Sequence, residues 1–262
     1  MSRHGLATME DGCRIAWRSD GPEDAPVLLL SNSLGTAMAM WDVQLPALTQ
    51  RFRVLRYDTR GHGASDATPG DYGLDRLGRD AAALLDALAI DRAHVCGLSL
   101  GGMTAQWLGV FAPERVDRLV LANTSAHMGP VAAWQQRMAR VRADGMAAIV
   151  DAVLSRWFTD GFMTHSPAKV AAVRQMLETT SPAGYAGCCA AIRDMDMRPL
   201  SHLIAAPCLI IGGTNDPATP PEHARALATA ICDSRLLMLP AAHLSNIEQP
   251  EAFTSALIEF LG

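Results

Sequence analysis

Residues 94–102 read His94-Val95-Cys96-Gly97-Leu98-Ser99-Leu100-Gly101-Gly102. An apolar run closes on a serine set between glycines, and a helical pattern over 103–111 follows. That is the strand–turn–helix setting a G-x-S-x-G nucleophile requires. The serine backbone must take a strained turn with little room on either side, which is why glycines stand there. The turn lifts the hydroxyl clear of the sheet, and the next helix aims its N-terminal amides at a developing anion. A glycine-rich turn that merely starts a helix would share the bare pentapeptide. The apolar run before it and the helix after it favour Ser99 as a nucleophile.

The pattern extends outward in both directions. Apolar runs at 27–31, 54–58, 118–123, 208–213 and 235–239 lack polar alternation, as parallel strands buried on both faces do. Residues 6–17 read as a hairpin turning at Asp11-Gly12. Helical periodicity lies between the runs. After Asp75 as N-cap, Leu77, Ala81, Leu84, Leu85 and Leu88 share a face. Thr219-Pro220 reads as an N-cap with proline opening a helix whose face is Ala224, Leu227, Ala228 and Ile231. Pro250 opens the last helix, with Phe253, Ala256, Leu257, Phe260 and Leu261 inward. Strands alternating with helices imply an α/β fold with a mostly parallel sheet covered on both sides. Only between about 129 and 200 is the pattern helical throughout. The expected organisation is therefore a core of residues 1–128 and 201–262 carrying a helical cap insertion at 129–200.

Composition narrows the function. The chain has 262 residues, 49% hydrophobic and 19% charged, with a net charge of −5 and no basic stripe, so nucleic acid is not an expected partner. No apolar run reaches the roughly 18 residues of a membrane span, and the first 13 residues lack the apolar region of a secretion signal. The six cysteines form neither a CxxC nor a zinc spacing. Free thiols in a reducing cytoplasm are the expectation. No metal and no cofactor is expected, and the oligomeric state is not legible.

A serine hydroxyl needs a base, and with this nucleophile turn the acid and then the histidine follow in chain order. Of eight histidines, His243 lies just after the last strand run. His223 also follows Ser99, but in the first turn of an expected helix, where a solvated histidine is ordinary. Two positions offer the acid. The earlier holds Asn123, which is neutral; the later holds Asp216, in Gly212-Gly213-Thr214-Asn215-Asp216. Asp216 would orient His243 and favour its charged form. Two donors must hold the oxyanion: the Leu100 amide, and one from Asn32-Ser33-Leu34-Gly35, where Leu34 is chosen because Gly35 lets the chain bend. Asn32 or Ser33 capping that turn is the alternative. Arg60 and His62, in the loop Asp58-Thr59-Arg60-Gly61-His62-Gly63, read as structural.

Together these residues resemble the α/β-hydrolase superfamily over nearly the whole chain. A narrower likeness, to the 3-oxoadipate enol-lactonases, is carried by SNSLGTAMAMWDVQ, YDTRGHGASD, GLSLGGMTAQWLG, RLVLANTSA, GTNDPATPP and AAHLSNIEQPEAF. The resemblance implies a small enol-lactone bearing a carboxylate as substrate. It also raises the question of what binds that carboxylate. Trp134, Arg137 and Val141 share a helix face at the start of the cap. The segment 130–200 carries eight basic against six acidic residues, a mildly basic lid on an acidic body. Trp134 and Arg137 are therefore expected to bind substrate, against the plainer reading of core filling and a solvated arginine. A general carboxylesterase or a cofactor-free perhydrolase would use the same triad. A non-catalytic ligand-binding homologue is the remoter alternative.

Overall fold

The computed structural model describes residues 2–262. Eight strands form one sheet: β1 (Ser2–Thr8), β2 (Arg14–Asp20), β3 (Val27–Ser31), β4 (Arg53–Tyr57), β5 (Ala93–Leu98), β6 (Val116–Ala122), β7 (Cys208–Gly213) and β8 (Ser234–Leu239). Their order is β1-β2-β4-β3-β5-β6-β7-β8. The β1–β2 and β2–β4 pairs are antiparallel and every other pair is parallel. β5 and β7 are buried at every residue. Successive side chains of a strand point to opposite faces, so both faces of the central sheet are covered.

The helices are α1 (Leu45–Leu48), α2 (Leu74–Ala87), α3 (Leu100–Phe111), α4 (Val131–Asp144), α5 (Val150–Trp157), α6 (Asp160–His165), α7 (Pro167–Thr179), α8 (Pro182–Asp194), α9 (Pro221–Ala230), α10 (Ser245–Glu248) and α11 (Pro250–Leu261). α3 packs on β3, β5 and β6. Between β6 and β7 the chain is helical from α4 to α8, with α4 against α8 and α5 against α7. α8 seats this segment on the core: the Gly187 carbonyl accepts from the Tyr72 amide at 3.0 Å, and Gly184 abuts Gly61 backbone to backbone.

Two helix starts differ from the sequence reading. α2 begins at Leu74 with Gly73 as its N-cap. Asp75 instead lies in the first turn, where a carboxylate favours the helix dipole, and pairs with Arg79 at 2.8 Å. α9 begins one residue late, at Pro221, with Pro220 as cap; the Thr219 hydroxyl is engaged elsewhere. β4, β5 and β6 each end one residue before the expected position, and for β5 and β6 the reason is the same. Ser99 and Asn123 adopt φ of 59° and 42°, which no strand residue can hold.

The topology fixes where chemistry can occur. The sheet order turns outward in both directions from the β3–β5 pair, and in open α/β sheets the crevice beyond the strand C-termini at such a point is where ligands bind. Register brings those termini level, with Ser31 opposite Gly97 and Leu98 opposite Ala122. The loops after β3, β5, β6, β7 and β8 thus meet along one edge.

Candidate active site

Ser99 caps α3 with φ 59° and ψ −116°, a conformation that costs roughly 1–3 kcal/mol and persists only if the surroundings enforce it. They do so by hydrogen bonds. The Ser99 amide donates to the Ala122 carbonyl at 2.9 Å, and the Ser99 carbonyl accepts from the Met103 amide at 3.0 Å and the Thr124 hydroxyl at 2.7 Å. The flanking glycines have a packing reason. A Cβ on Gly97 would strike the Gly101 backbone, and one on Gly101 would strike Ser31. Helix α3 therefore starts in contact with β3 and β5, and its first amides, Leu100 included, have no acceptor within the helix.

His243 and Asp216 meet as expected from the sequence. The ring Nδ1 of His243 is 2.9 Å from Asp216 Oδ2, and both residues are buried. Asp216 is held on all sides. Its Oδ1 accepts from the amides of Ala218 and Thr219 at 2.8 and 2.9 Å. Its Oδ2 also accepts from the Thr219 hydroxyl at 2.6 Å and the Asn123 side-chain amide at 3.0 Å. Burial pushes this carboxyl up, but the His243 charge and the hydrogen bonds from His243, Thr219 and Asn123 outweigh it and hold it at about 2. Asp216 is thus an anion at any working pH.

Asn123, passed over in the sequence as a neutral residue at the alternative acid position, is a junction. Besides Asp216, its side-chain amide donates to the Ala242 carbonyl at 3.2 Å, and its oxygen accepts from the Ser245 hydroxyl at 2.5 Å. One side chain thereby ties the ends of β6, β7 and β8 together. Glu248, which the sequence did not single out, does the same between the His243 loop and the helical segment. Its Oε2 accepts from the Ala242 amide at 2.6 Å; its Oε1 accepts from the Thr159 amide at 3.0 Å and from the Thr159 hydroxyl. Nearby, the Leu244 amide donates to the Trp157 carbonyl at 3.1 Å, and the Trp157 ring lies 6.1 Å from that of His243. His223 is half-buried rather than solvated, with its Nδ1 enclosed and unpartnered among the described residues.

The loop after β3 is fixed by a histidine that the sequence marked only as structural. His62 Nε2 accepts from the Gly35 amide at 2.8 Å while its Nδ1 meets the Arg60 carbonyl at 3.1 Å. The two contacts require a neutral ring with its proton on Nδ1. Gly35 has φ 79°, and a Cβ there would press on Leu177. His62 thus sets the bend beside Leu34. Burial lowers the His62 ring from 6.5 to about 4. Between those values the unfolded chain binds more protons than the folded one. Stability is therefore complete above about pH 6.5 and falls as pH drops through 4, by about 3 kcal/mol in all. We expect the urea midpoint to fall between pH 7 and pH 4.5 in the wild type and to change distinctly less in His62→Gln. Parallel pH dependence in both would remove His62 from the acid response. Arg60 is structural: buried, it pairs with Asp80 at 2.7 Å and Asp11 at 2.6 Å.

A partly open cavity is lined by Ser99, His243, Leu34, Trp134 and Arg137, together with Arg156, Trp157 and Tyr185. Ser99 and His243 thus face one space, with Leu34 at its wall. Trp134 is buried and still lines the cavity, and the Arg137 guanidinium stacks on it at 4.8 Å from the ring centre. Arg156 escaped the sequence reading because it lies on α5, beyond the periodicity of the helix that carries Arg137. Two hydroxyls on the cavity wall, Ser33 Oγ and Tyr185 Oη, are buried without a hydrogen-bond partner of good geometry, which leaves them open to a ligand. Among the described residues, no three His, Cys, Asp or Glu side chains are grouped to hold a metal, and no helix is long and apolar enough to cross a membrane.

The family described as alpha/beta hydrolase fold matches residues 26–250. The chain is 44% identical to 3-oxoadipate enol-lactonase 2 of Acinetobacter baylyi, covering 90% of this chain and 89% of that protein. It is 38% identical to 3-oxoadipate enol-lactonase 1 of the same organism, covering 98% and 96%. The crystal structure of the enol-lactonase from Burkholderia xenovorans superposes with a TM-score of 0.96 at 44% identity, over 98% of this chain and 99% of that one. The chain belongs to the α/β-hydrolase family and, within it, to the branch that holds these enol-lactonases, and it is an enzyme that hydrolyses ester bonds.

Proposed function

We propose that the chain hydrolyses 3-oxoadipate enol-lactone to 3-oxoadipate through an acyl-enzyme, with Ser99 as nucleophile, His243 as base and Asp216 as its orienting anion. The observation that carries this reading is the 2.9 Å Asp216–His243 pair facing the cavity that Ser99 also lines. The names of the relatives at 44% and 38% identity support the substrate.

His243, its Nδ1 proton held by Asp216, takes the Ser99 proton on Nε2 as Oγ attacks the lactone carbonyl. The amides of Leu34 and Leu100 donate to the resulting oxyanion. As the tetrahedral centre collapses, the ring C–O bond breaks, and the departing enolate oxygen takes the proton from His243. Because an enolate is a stable leaving group, this step asks less of the acid than an amine would. Water, deprotonated by His243, then attacks the acyl-serine. Serine leaves with the proton, and the released enol relaxes to the ketone.

Residues 129–200 act in this reading as a cap that supplies the substrate's carboxylate site. Trp134 offers an aromatic wall, and Arg137 offers a planar cation suited to a carboxylate. Arg156 joins it from α5. Arg137→Ala is expected to raise KM for the lactone on the order of tenfold or more, as for loss of a charged hydrogen bond, while leaving KM for a neutral aryl ester nearly unchanged. Equal losses on both substrates would remove Arg137 from the site.

The deciding experiment compares three assays: ultraviolet-monitored opening of the enol-lactone, hydrolysis of a neutral aryl ester, and peroxide-dependent halogenation. Fast lactone opening with weak activity in the other two supports the reading. Preference for the neutral ester would mark a general carboxylesterase, and dominant halogenation a perhydrolase.

A further inference from the structure

The segment from α4 to α8 carries its arginines in two distinct ways. Three are neutralised, Arg142 by Asp71 at 2.6 Å, Arg174 by Asp151 at 2.5 Å and Arg193 by Asp194 at 2.6 Å, as is Arg198 just beyond α8, by Asp196 at 2.6 Å. The other three, Arg137, Arg140 and Arg156, have no acidic partner within 4 Å among the described residues, and all three line one surface groove between α4 and α5. Unpaired guanidinium groups on neighbouring helices repel one another, and burial together with the Arg137 charge lowers Arg156 from its ordinary range. Together they concentrate positive potential on one face of an acidic chain, which attracts anions.

The groove and the catalytic cavity adjoin. Arg137, Val153 and Arg156 line both. Exposure is graded along the way: Gln136, Arg140 and Ala152 are exposed, Arg137 and Arg156 are intermediate, and Ser33 and Tyr185 at the inner wall are fully buried. The geometry points to this groove as the entrance for anionic substrates, with Arg140 attracting the anion at the mouth and Arg137 and Arg156 passing it inward. This rests on the proposed turnover of a carboxylate-bearing ester, but it assigns a separate element: a charge outside the cavity that acts on arrival. Arg140 lines the groove and not the catalytic cavity, so its effect is on capture. Positive potential at a cleft mouth raises the local concentration of an anion and its rate of entry, and salt erases the effect.

The test uses two model esters that do not depend on the lactone, 4-nitrophenyl hemisuccinate, which is anionic, and 4-nitrophenyl butyrate, which is neutral. At low ionic strength Arg140→Gln should lower kcat/KM for the hemisuccinate roughly two- to fivefold, and Arg140→Glu roughly tenfold, with kcat unchanged. At about 1 M salt the variants should converge on the wild type, since the screening length falls to about 3 Å. Butyrate hydrolysis serves as the folding control and should be unaffected. Arg142→Gln, whose arginine is paired outside the groove, should leave the hemisuccinate rate unaltered. Loss of equal size on both esters, a salt-independent loss, or no loss in Arg140→Glu would each overturn the entrance. An enzyme that passes this test yet fails to open the enol-lactone would retain the entrance and lose the lactone assignment, so the two failures are distinguishable.

Discussion

Ser99→Ala is expected to lower kcat for ester or lactone hydrolysis on the order of 10⁶, with the protein still folded. The size follows from chemistry, because no acyl-enzyme can form and water must attack directly. Retention of the fold follows from the elbow. Its hydrogen bonds run through the backbone of Ser99, to Ala122, Met103 and Thr124, and alanine preserves all of them. Alanine pays the same steric cost as serine at φ 59°. A residual rate of roughly 10³ over water would remain if the amides of Leu34 and Leu100 still hold an oxyanion. Circular dichroism and single-turnover kinetics on wild type and variant check both halves. A variant within tenfold of the wild type would remove Ser99 from the chemistry.

Asp216→Asn should be the next largest, a loss of roughly 10⁴ in kcat with a modest change in KM. The carboxylate is the acceptor for five donors: two backbone amides, the Thr219 hydroxyl, the Asn123 amide and the His243 ring. An asparagine that keeps its oxygen towards Ala218 and Thr219 must turn its NH2 group towards Asn123 and His243, which already donate. The ring is then driven to the tautomer with its proton on Nε2, where it cannot take the serine proton. The asparagine side chain carries no ionisable group, so raising the pH cannot restore an anion at this position. Kinetics across pH 5–9 check this. Recovery of the variant at high pH, or a loss under tenfold, would contradict the role given to the pair.

The core was legible because its signals are local. Unbroken apolar runs place β3 and β7 at their observed bounds, and glycines about Ser99 mark a close approach of helix to sheet that no larger residue allows. His243 and Asp216 are candidates from chain order together with their places just after strand runs. What escaped depends on contacts between distant segments. Asn123 reads as an acid position left empty, yet it works through geometry set by β6, β7 and β8 meeting. Glu248 falls in a short helix after His243 and carries no local signal of its role, which exists only once Thr159 arrives from the far side. Arg156 becomes a partner of Arg137 only when α5 is laid beside α4. The caps expected at Asp75 and Thr219 differ for a related reason: residue type alone marks a cap candidate, whereas Thr219 is claimed by Asp216, and a glycine with extended backbone starts α2 without any side chain.

The most direct measurement is covalent labelling by a fluorophosphonate, followed by mass analysis of the peptide that carries the adduct. The expected result is stoichiometric labelling of the wild type on Ser99, no labelling of Ser99→Ala, and much slower labelling of Asp216→Asn. Labelling on any other residue, or equal labelling of the wild type and Ser99→Ala, would contradict a nucleophile at this turn.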